Sequence, residues 1–255
     1  MFIKYKALNV INILILVTTI ILAAQKAESS FGIILNFDDG YSGVYENAFP
    51  IMQEHNIPGV LFAVIRTIGS KNHLSLEEIK ELKKAGWEIG SHTVNHSNLE
   101  MLTHNGLIQE IADSCKKLKE HGLLNEKYAS FCTPMFKWNQ DIKKIAAKNY
   151  QLIRSKKIFI VKNENSNSPV NTVHELPGVL LKIIVKETSL KKITAWINEA
   201  QEQNIPLILV FHNIAEGGNE YYFSPKKFTA FIELIQEYPV ITFENLYNNY
   251  INILP

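Results

Sequence analysis

From Phe31 onward, short apolar runs alternate with longer stretches in which apolar residues recur every three or four positions. The runs at 31–35, 60–64, 87–89, 128–133, 178–185, 207–211 and 240–242 read as buried strands. The stretches at 44–55, 107–121, 140–148, 190–203 and 225–237 read as helices, and Ser75-Leu76-Glu77-Glu78 opens another, which Ala85-Gly86 closes. Asn56-Ile57-Pro58-Gly59 separates the first helix from the second strand, and 162–173, rich in Asn and Ser around Pro169, is the most loop-like stretch. Strand followed by helix, repeated, predicts a parallel sheet with crossover helices. Seven or eight short strands predict an α/β fold of the distorted (β/α) barrel type.

Composition adds bounds. With 255 residues and 46% hydrophobic content, one large core and one domain are expected. Lys and Arg number 26 against 25 acids, so the balance gives no case for a nucleic-acid partner. Cys115 and Cys132 are too few for a disulfide scaffold and lack zinc-knuckle spacing, which leaves them as small apolar residues. The first 27 residues differ from the rest: Lys4 and Lys6 precede an apolar run from Ala7 to Ala24, followed by small and polar residues. That order reads as an export signal or an uncleaved membrane anchor, with the domain at 28–255 on the outer side. The expected location is secreted, periplasmic or tethered to the outer face of the membrane, and the membrane is touched only through that segment.

Candidate chemistry sits at strand ends. The first strand runs into Asn36-Phe37-Asp38-Asp39-Gly40, two adjacent carboxylates that repel each other unless a cation intervenes. His92 and His96 follow the third strand, four positions apart, a spacing that lets both imidazoles reach one ion. Two imidazoles and a carboxylate leave coordination positions open for water and substrate, which suits zinc-assisted hydrolysis and non-haem iron chemistry alike. His212 ends the strand 207–211, where a barrel enzyme keeps a general acid and where a capped core histidine is the alternative. Tyr221 and Tyr222 follow it, placed either to stack on a sugar ring or to pack. His174 precedes a strand, whereas His55, His73, His104 and His121 read as surface residues.

These three places, in this order, resemble the motifs of the polysaccharide deacetylase family, the metal-dependent NodB-homology carbohydrate esterases. Asn36-Phe37-Asp38-Asp39-Gly40 is similar to the first motif, Ser91-His92-Thr93-Val94-Asn95-His96 to the second, and Leu209-Val210-Phe211-His212 to the last. The resemblance, over about residues 31–245, implies a distorted barrel in which Asp38 is the base, Asp39, His92 and His96 hold a divalent ion, zinc, and His212 is the acid. It also implies that the backbone N–H of Met135 helps hold the oxyanion. The expected function is removal of N-acetyl groups from an amino-sugar polysaccharide: peptidoglycan, a chitin-like polymer or poly-N-acetylglucosamine.

Two departures qualify this expectation. Cys132, two residues before Pro134, stands where the family carries the arginine that clamps the base, and Gly178 replaces an arginine after Leu176-Pro177. Without that clamp the Asp38 carboxyl should titrate higher than in relatives, unless the metal or Lys137 compensates. The same losses suggest a non-catalytic glycan-binding relic as one alternative reading; a non-haem iron enzyme using the same ligands is the other.

Overall fold

A computed structural model of the chain describes residues 30–163 and 171–253. The targeting segment expected at 1–27 lies outside the described residues. From Phe31 onward the chain is one compact unit.

A curled sheet of nine strands forms a half-barrel with helices around it. In chain order the strands are β1 (Ile33–Asp39), β2 (Val60–Ala63), β3 (Glu88–Ser91), β4 (Ser130–Cys132), β5 (Leu152–Arg154), β6 (Ile158–Asn163), β7 (Asn171–Leu176), β8 (Leu180–Ile183) and β9 (Leu207–Phe211). Their spatial order is β7-β6-β5-β4-β3-β2-β1-β9-β8. A separate pair, β10 (Asn213–Ile214) and β11 (Tyr222–Phe223), stands beside them. The helices are α1 (Phe49–Glu54), preceded by a π-helical turn Val44–Ala48, then α2 (Leu76–Lys84), α3 (His104–Glu120), α4 (Gln140–Ala146), α5 (Leu190–Glu202), α6 (Pro225–Ile235) and α7 (Phe243–Ile251).

Where helices intervene, the predicted parallel pairing holds: β1 lies between β2 and β9, and β2, β3, β4 and β5 follow one another in parallel. The expected α/β fold of the distorted barrel type is borne out, but as a mixed sheet of nine strands and not a parallel one of seven or eight. β5, β6 and β7 form an antiparallel meander, with Ile153 opposite Phe159 and Ile160 opposite His174. Part of the stretch read as loop belongs to it, since Lys162 and Asn163 end β6 and Asn171–Val173 begin β7. At the other end, Val240 makes only an isolated bridge to Ile33, and an unforeseen helix, α7, follows.

Alternation along the strands divides the core in two. Ile33, Leu35 and Phe37 face the surrounding helices and pack with Phe211, Phe228 and Phe231. Ile34, Val60, Phe62, Leu152, Ile160, Ile208 and Val210 face the inside of the curl. Phe243 and Leu246 of α7 join this inner cluster, so α7 fills the hollow from within. Burying these apolar faces is the main favourable term holding the curl closed.

Candidate active site

Asp38 and Asp39 are neighbours in sequence but face different ways. Asp38 continues the inward register of Ile34 and Asn36, opposite Phe62. Asp39 takes a left-handed backbone (φ 71°), and Gly40 (φ 76°) continues the turn, which swings the second carboxylate out of the strand.

The Asp39 carboxylate meets the two histidines. Its Oδ1 lies 3.5 Å from His92 Nε2 and 3.3 Å from His96 Nε2, and the three donor atoms fall within 4.8 Å of one another. Donors held about 2.0–2.1 Å from a tetrahedral ion lie roughly 3.3 Å apart, so the trio has the spacing that a metal requires. Asp39 Oδ1 is buried without a hydrogen-bond partner among the described residues. His92 Nδ1 bonds the Cys132 carbonyl at 2.9 Å, which puts the proton on that nitrogen and the lone pair on Nε2. Burial lowers the His92 pKa, against the pull of Asp38 and Asp39, and so favours the neutral imidazole that a metal needs. A second group, Asp38, His92 and Cys132, is equally compact but fits a metal poorly. Asp38 is already engaged, and burial pushes the Cys132 thiol well up, so it keeps its proton.

The loop carrying the histidines is pinned from α3. Glu110 accepts hydrogen bonds from the backbone N–H of Val94 (3.1 Å) and Asn95 (2.8 Å), from Asn95 Nδ2 (2.7 Å) and from Ser97 Oγ (2.9 Å). Thr93 Oγ1 accepts from the His96 N–H at 2.9 Å. Left-handed Thr93 (φ 72°) and His96 (φ 59°) show why the loop needs this fastening.

The expected absence of a clamp on Asp38 is overturned. Arg154, at the end of β5 and the register partner of Cys132, reaches Asp38 with Nη2 placed at both carboxylate oxygens. The guanidinium comes from the strand next to the one on which the resemblance led us to expect it. Its guanidinium lies between Phe62 (5.5 Å) and Phe136 (5.3 Å), and Asn36 Nδ2 donates to Asp38 Oδ1 at 2.8 Å. Burial alone would raise the Asp38 pKa; Arg154 above all, with His92 and His212 adding, outweighs it and holds the carboxyl well below the usual carboxylate range. Lys137 has no part in this, being paired with Glu100 at 2.9 Å.

His212 faces the same cavity, of about 330 Å³, together with Asp38, Asp39, His92, His96 and Arg154. Its Nδ1 is buried without a partner among the described residues, and Tyr221 lies against its ring, centroids 4.9 Å apart. Met135 forms part of the wall in a left-handed conformation (φ 52°), and Ser155 Oγ donates to the Phe136 carbonyl at 2.9 Å, tying that wall to β5. Thus all six residues singled out from the sequence, Asp38, Asp39, His92, His96, Met135 and His212, line one cavity. His174 is elsewhere, on β7, and Gly178 takes a left-handed turn (φ 67°) that an arginine would strain.

Residues 25–152 match the model of the family described as polysaccharide deacetylase. The chain belongs to that family. This deacetylase-family chain is 32% identical over 135 residues to a putative polysaccharide deacetylase of Bacillus subtilis, covering 52% of this chain and 48% of that protein. It is 29% identical over 163 residues to a poly-β-1,6-N-acetyl-D-glucosamine N-deacetylase of Staphylococcus aureus, covering 58% and 53%. The chain therefore spans about half the length of the curated relatives it matches. The peptidoglycan deacetylase PdaC from Bacillus subtilis shares the fold, with a TM-score of 0.55 at 15% identity over 85% of this chain and 90% of that one.

Arg154 and His212 lie beyond the matched segment. Arg154, Glu110 and Asn36 are the site residues that sequence reasoning missed. A signal for the first was present: the chain has two arginines, Arg66 and Arg154, and the second follows the apolar pair Leu152-Ile153, at a strand end like the other site residues.

Proposed function

We propose that this deacetylase-family chain is a metal-dependent hydrolase that removes N-acetyl groups from an amino-sugar polysaccharide. The observation carrying the reading is the pairing, in one cavity, of the Asp39–His92–His96 trio, in which Asp39 Oδ1 has no hydrogen-bond partner among the described residues, with an Asp38 held ionised by Arg154. Asp39, His92 and His96 would hold a divalent ion, zinc by the resemblance to the family's metal site, and that ion would polarise the acetyl carbonyl and acidify water. Asp38, kept as carboxylate, takes the proton of the attacking water. The backbone N–H of Met135 steadies the oxygen that becomes negative. His212, whose Nδ1 has no hydrogen-bond partner among the described residues, delivers a proton to the departing amine.

The restored arginine removes the main motive for reading the chain as a glycan-binding relic. Among candidate polymers, poly-N-acetylglucosamine has the support of the Staphylococcus aureus relative's name. Export, through residues 1–27, accords with a polymeric substrate outside the cell and is part of the proposal.

Acetate release from poly-N-acetylglucosamine, peptidoglycan and chitin oligomers, with metal analysis of the same sample, tests the reading. The wild type should release acetate and carry one divalent ion per chain. The His92→Ala, His96→Ala double variant should lose both. His212→Asn should keep the ion while kcat falls by about 10²-fold or more. Loss of the ion in His212→Asn would make that residue a ligand, and no release from any of the polymers would end the proposal.

A further inference from the structure

A second cavity, of about 390 Å³, opens beside the catalytic one. Tyr41, Ser42, Glu46, Asn72, Asn213 and Tyr222 contribute to its lining. The two cavities share a wall: Asn219 lines both, and the consecutive residues His212 and Asn213 face one each. The near side is continuous with the catalytic strand, because Tyr41 and Ser42 follow directly on Asp39-Gly40 and lead into the π-helical turn that carries Glu46. Such turns are frequent at functional sites. The turn is pressed against β10, since a Cβ at Gly43 would fall 2.3 Å from Asn213 Oδ1 and 2.4 Å from the Ile214 carbonyl oxygen. Asn47 Nδ2 donates to that same carbonyl at 2.8 Å, so the cleft has a braced floor.

The lining has a definite chemistry. Amides, hydroxyls and the flat face of Tyr41, stacked on His73 with centroids 5.0 Å apart, suit a sugar. The lining contains one charged side chain, Glu46, and no Lys, Arg or His. Among the described residues no ion pair engages that carboxylate. A carboxylate with no cation beside it favours a positively charged guest and disfavours an anionic one. On a polymer of N-acetylated sugars, deacetylation itself produces such a guest, because hydrolysis of each acetamide releases acetate and leaves an amine that can take up a proton near neutral pH.

We propose that this cleft binds the sugar next to the one being deacetylated, and that Glu46 makes it prefer a sugar whose amine is already free. The inference rests on the proposed reading of the catalytic cavity and adds a consequence: the protein acts beside sites it has already processed, so free amines accumulate in runs.

The test is titration of a glucosamine trisaccharide, β-1,6- or β-1,4-linked and fully deacetylated, into the metal-loaded full chain by calorimetry. An ion pair at a half-open cleft contributes up to about 1 kcal/mol, which is about fivefold in Kd. Glu46→Gln should therefore weaken binding by about three- to fivefold and flatten its salt dependence, and Glu46→Lys should weaken it further. On trisaccharides, the ratio of kcat/KM for a partly deacetylated substrate over a fully acetylated one should exceed 1 in the wild type and fall to about 1 in Glu46→Gln. No measurable binding of either trisaccharide to the wild type, or equal binding by wild type and Glu46→Lys, would overturn the inference. Because the titrated ligand is already deacetylated, this outcome is separate from a failure of acetate release, which bears on the catalytic reading alone.

Discussion

At the scale of single residues, the exchange between Cys132 and Arg154 matters most. The two are register partners on adjacent strands, so a guanidinium arriving from either place can reach a carboxylate at the end of β1. With Arg154 and Asp38 both buried, replacing the arginine leaves an uncompensated charge, and Arg154→Leu should lower stability by about 3–5 kcal/mol. The sign with pH follows from the lowered Asp38 pKa. Its contribution to stability is present in full above the unfolded carboxyl's pKa of about 3.9 and is lost only as pH falls through the lower folded value. The acid limb of kcat/KM, where Asp38 governs it, should accordingly lie below the ordinary carboxylate range in the wild type and move upward in Arg154→Leu. An unmoved limb in that variant would show that another group governs it. The sequence alone led to the opposite expectation, a raised limb, because it counted the missing arginine at 132 and not the one across the sheet.

At the scale of elements, a buried acid ties the inner helix to the sheet. Glu88, at the start of β3, accepts hydrogen bonds from Tyr128 Oη (3.0 Å), from Ser130 Oγ and from the backbone N–H of Glu244 (2.7 Å) in the first turn of α7. A carboxylate at a helix N-terminus satisfies a donor that the helix cannot, and here it fixes where α7 enters the hollow. Burial raises the Glu88 pKa, and its hydrogen bonds offset that only in part. A raised folded pKa means that the linked stability is present below the unfolded value of about 4.3 and is lost as pH rises through the folded one. Glu88→Gln cannot ionise, so its stability should fall less than that of the wild type between about pH 5 and pH 8. Glu88→Ala, which abandons three donors, should cost about 2–3 kcal/mol at low pH, where the wild type keeps its full contribution, and less as pH rises. Denaturant melts of the three proteins at both pH values measure this, and identical slopes for wild type and Glu88→Gln would show that Glu88 does not titrate there.

At the scale of the whole molecule, the half-barrel gathers strand ends at one rim, and export would present that rim to its polymer. Protease applied to intact cells or spheroplasts should degrade residues 31–255, whereas protection there would place the domain on the cytoplasmic side. Much of the architecture was legible from alternation and turn chemistry, because each parallel strand and crossover helix carries its own local pattern. Asp38, Asp39, His92, His96 and His212 were legible for a similar reason: polar groups that end apolar strands stand out against their neighbours. The β5–β6–β7 meander was obscured by a polar stretch that reads as loop, and α7 by its following directly on what looked like a last strand. Arg154 and Glu110 illustrate the remaining limit. Each acts on a residue brought to it by sheet order or by helix packing, 116 positions away for Arg154 and Asp38. Local sequence determines which residues end strands and open helices. Only the tertiary structure decides which of those ends become neighbours, because a buried charge is stabilised by whatever lies across the fold and not by what stands beside it in the chain.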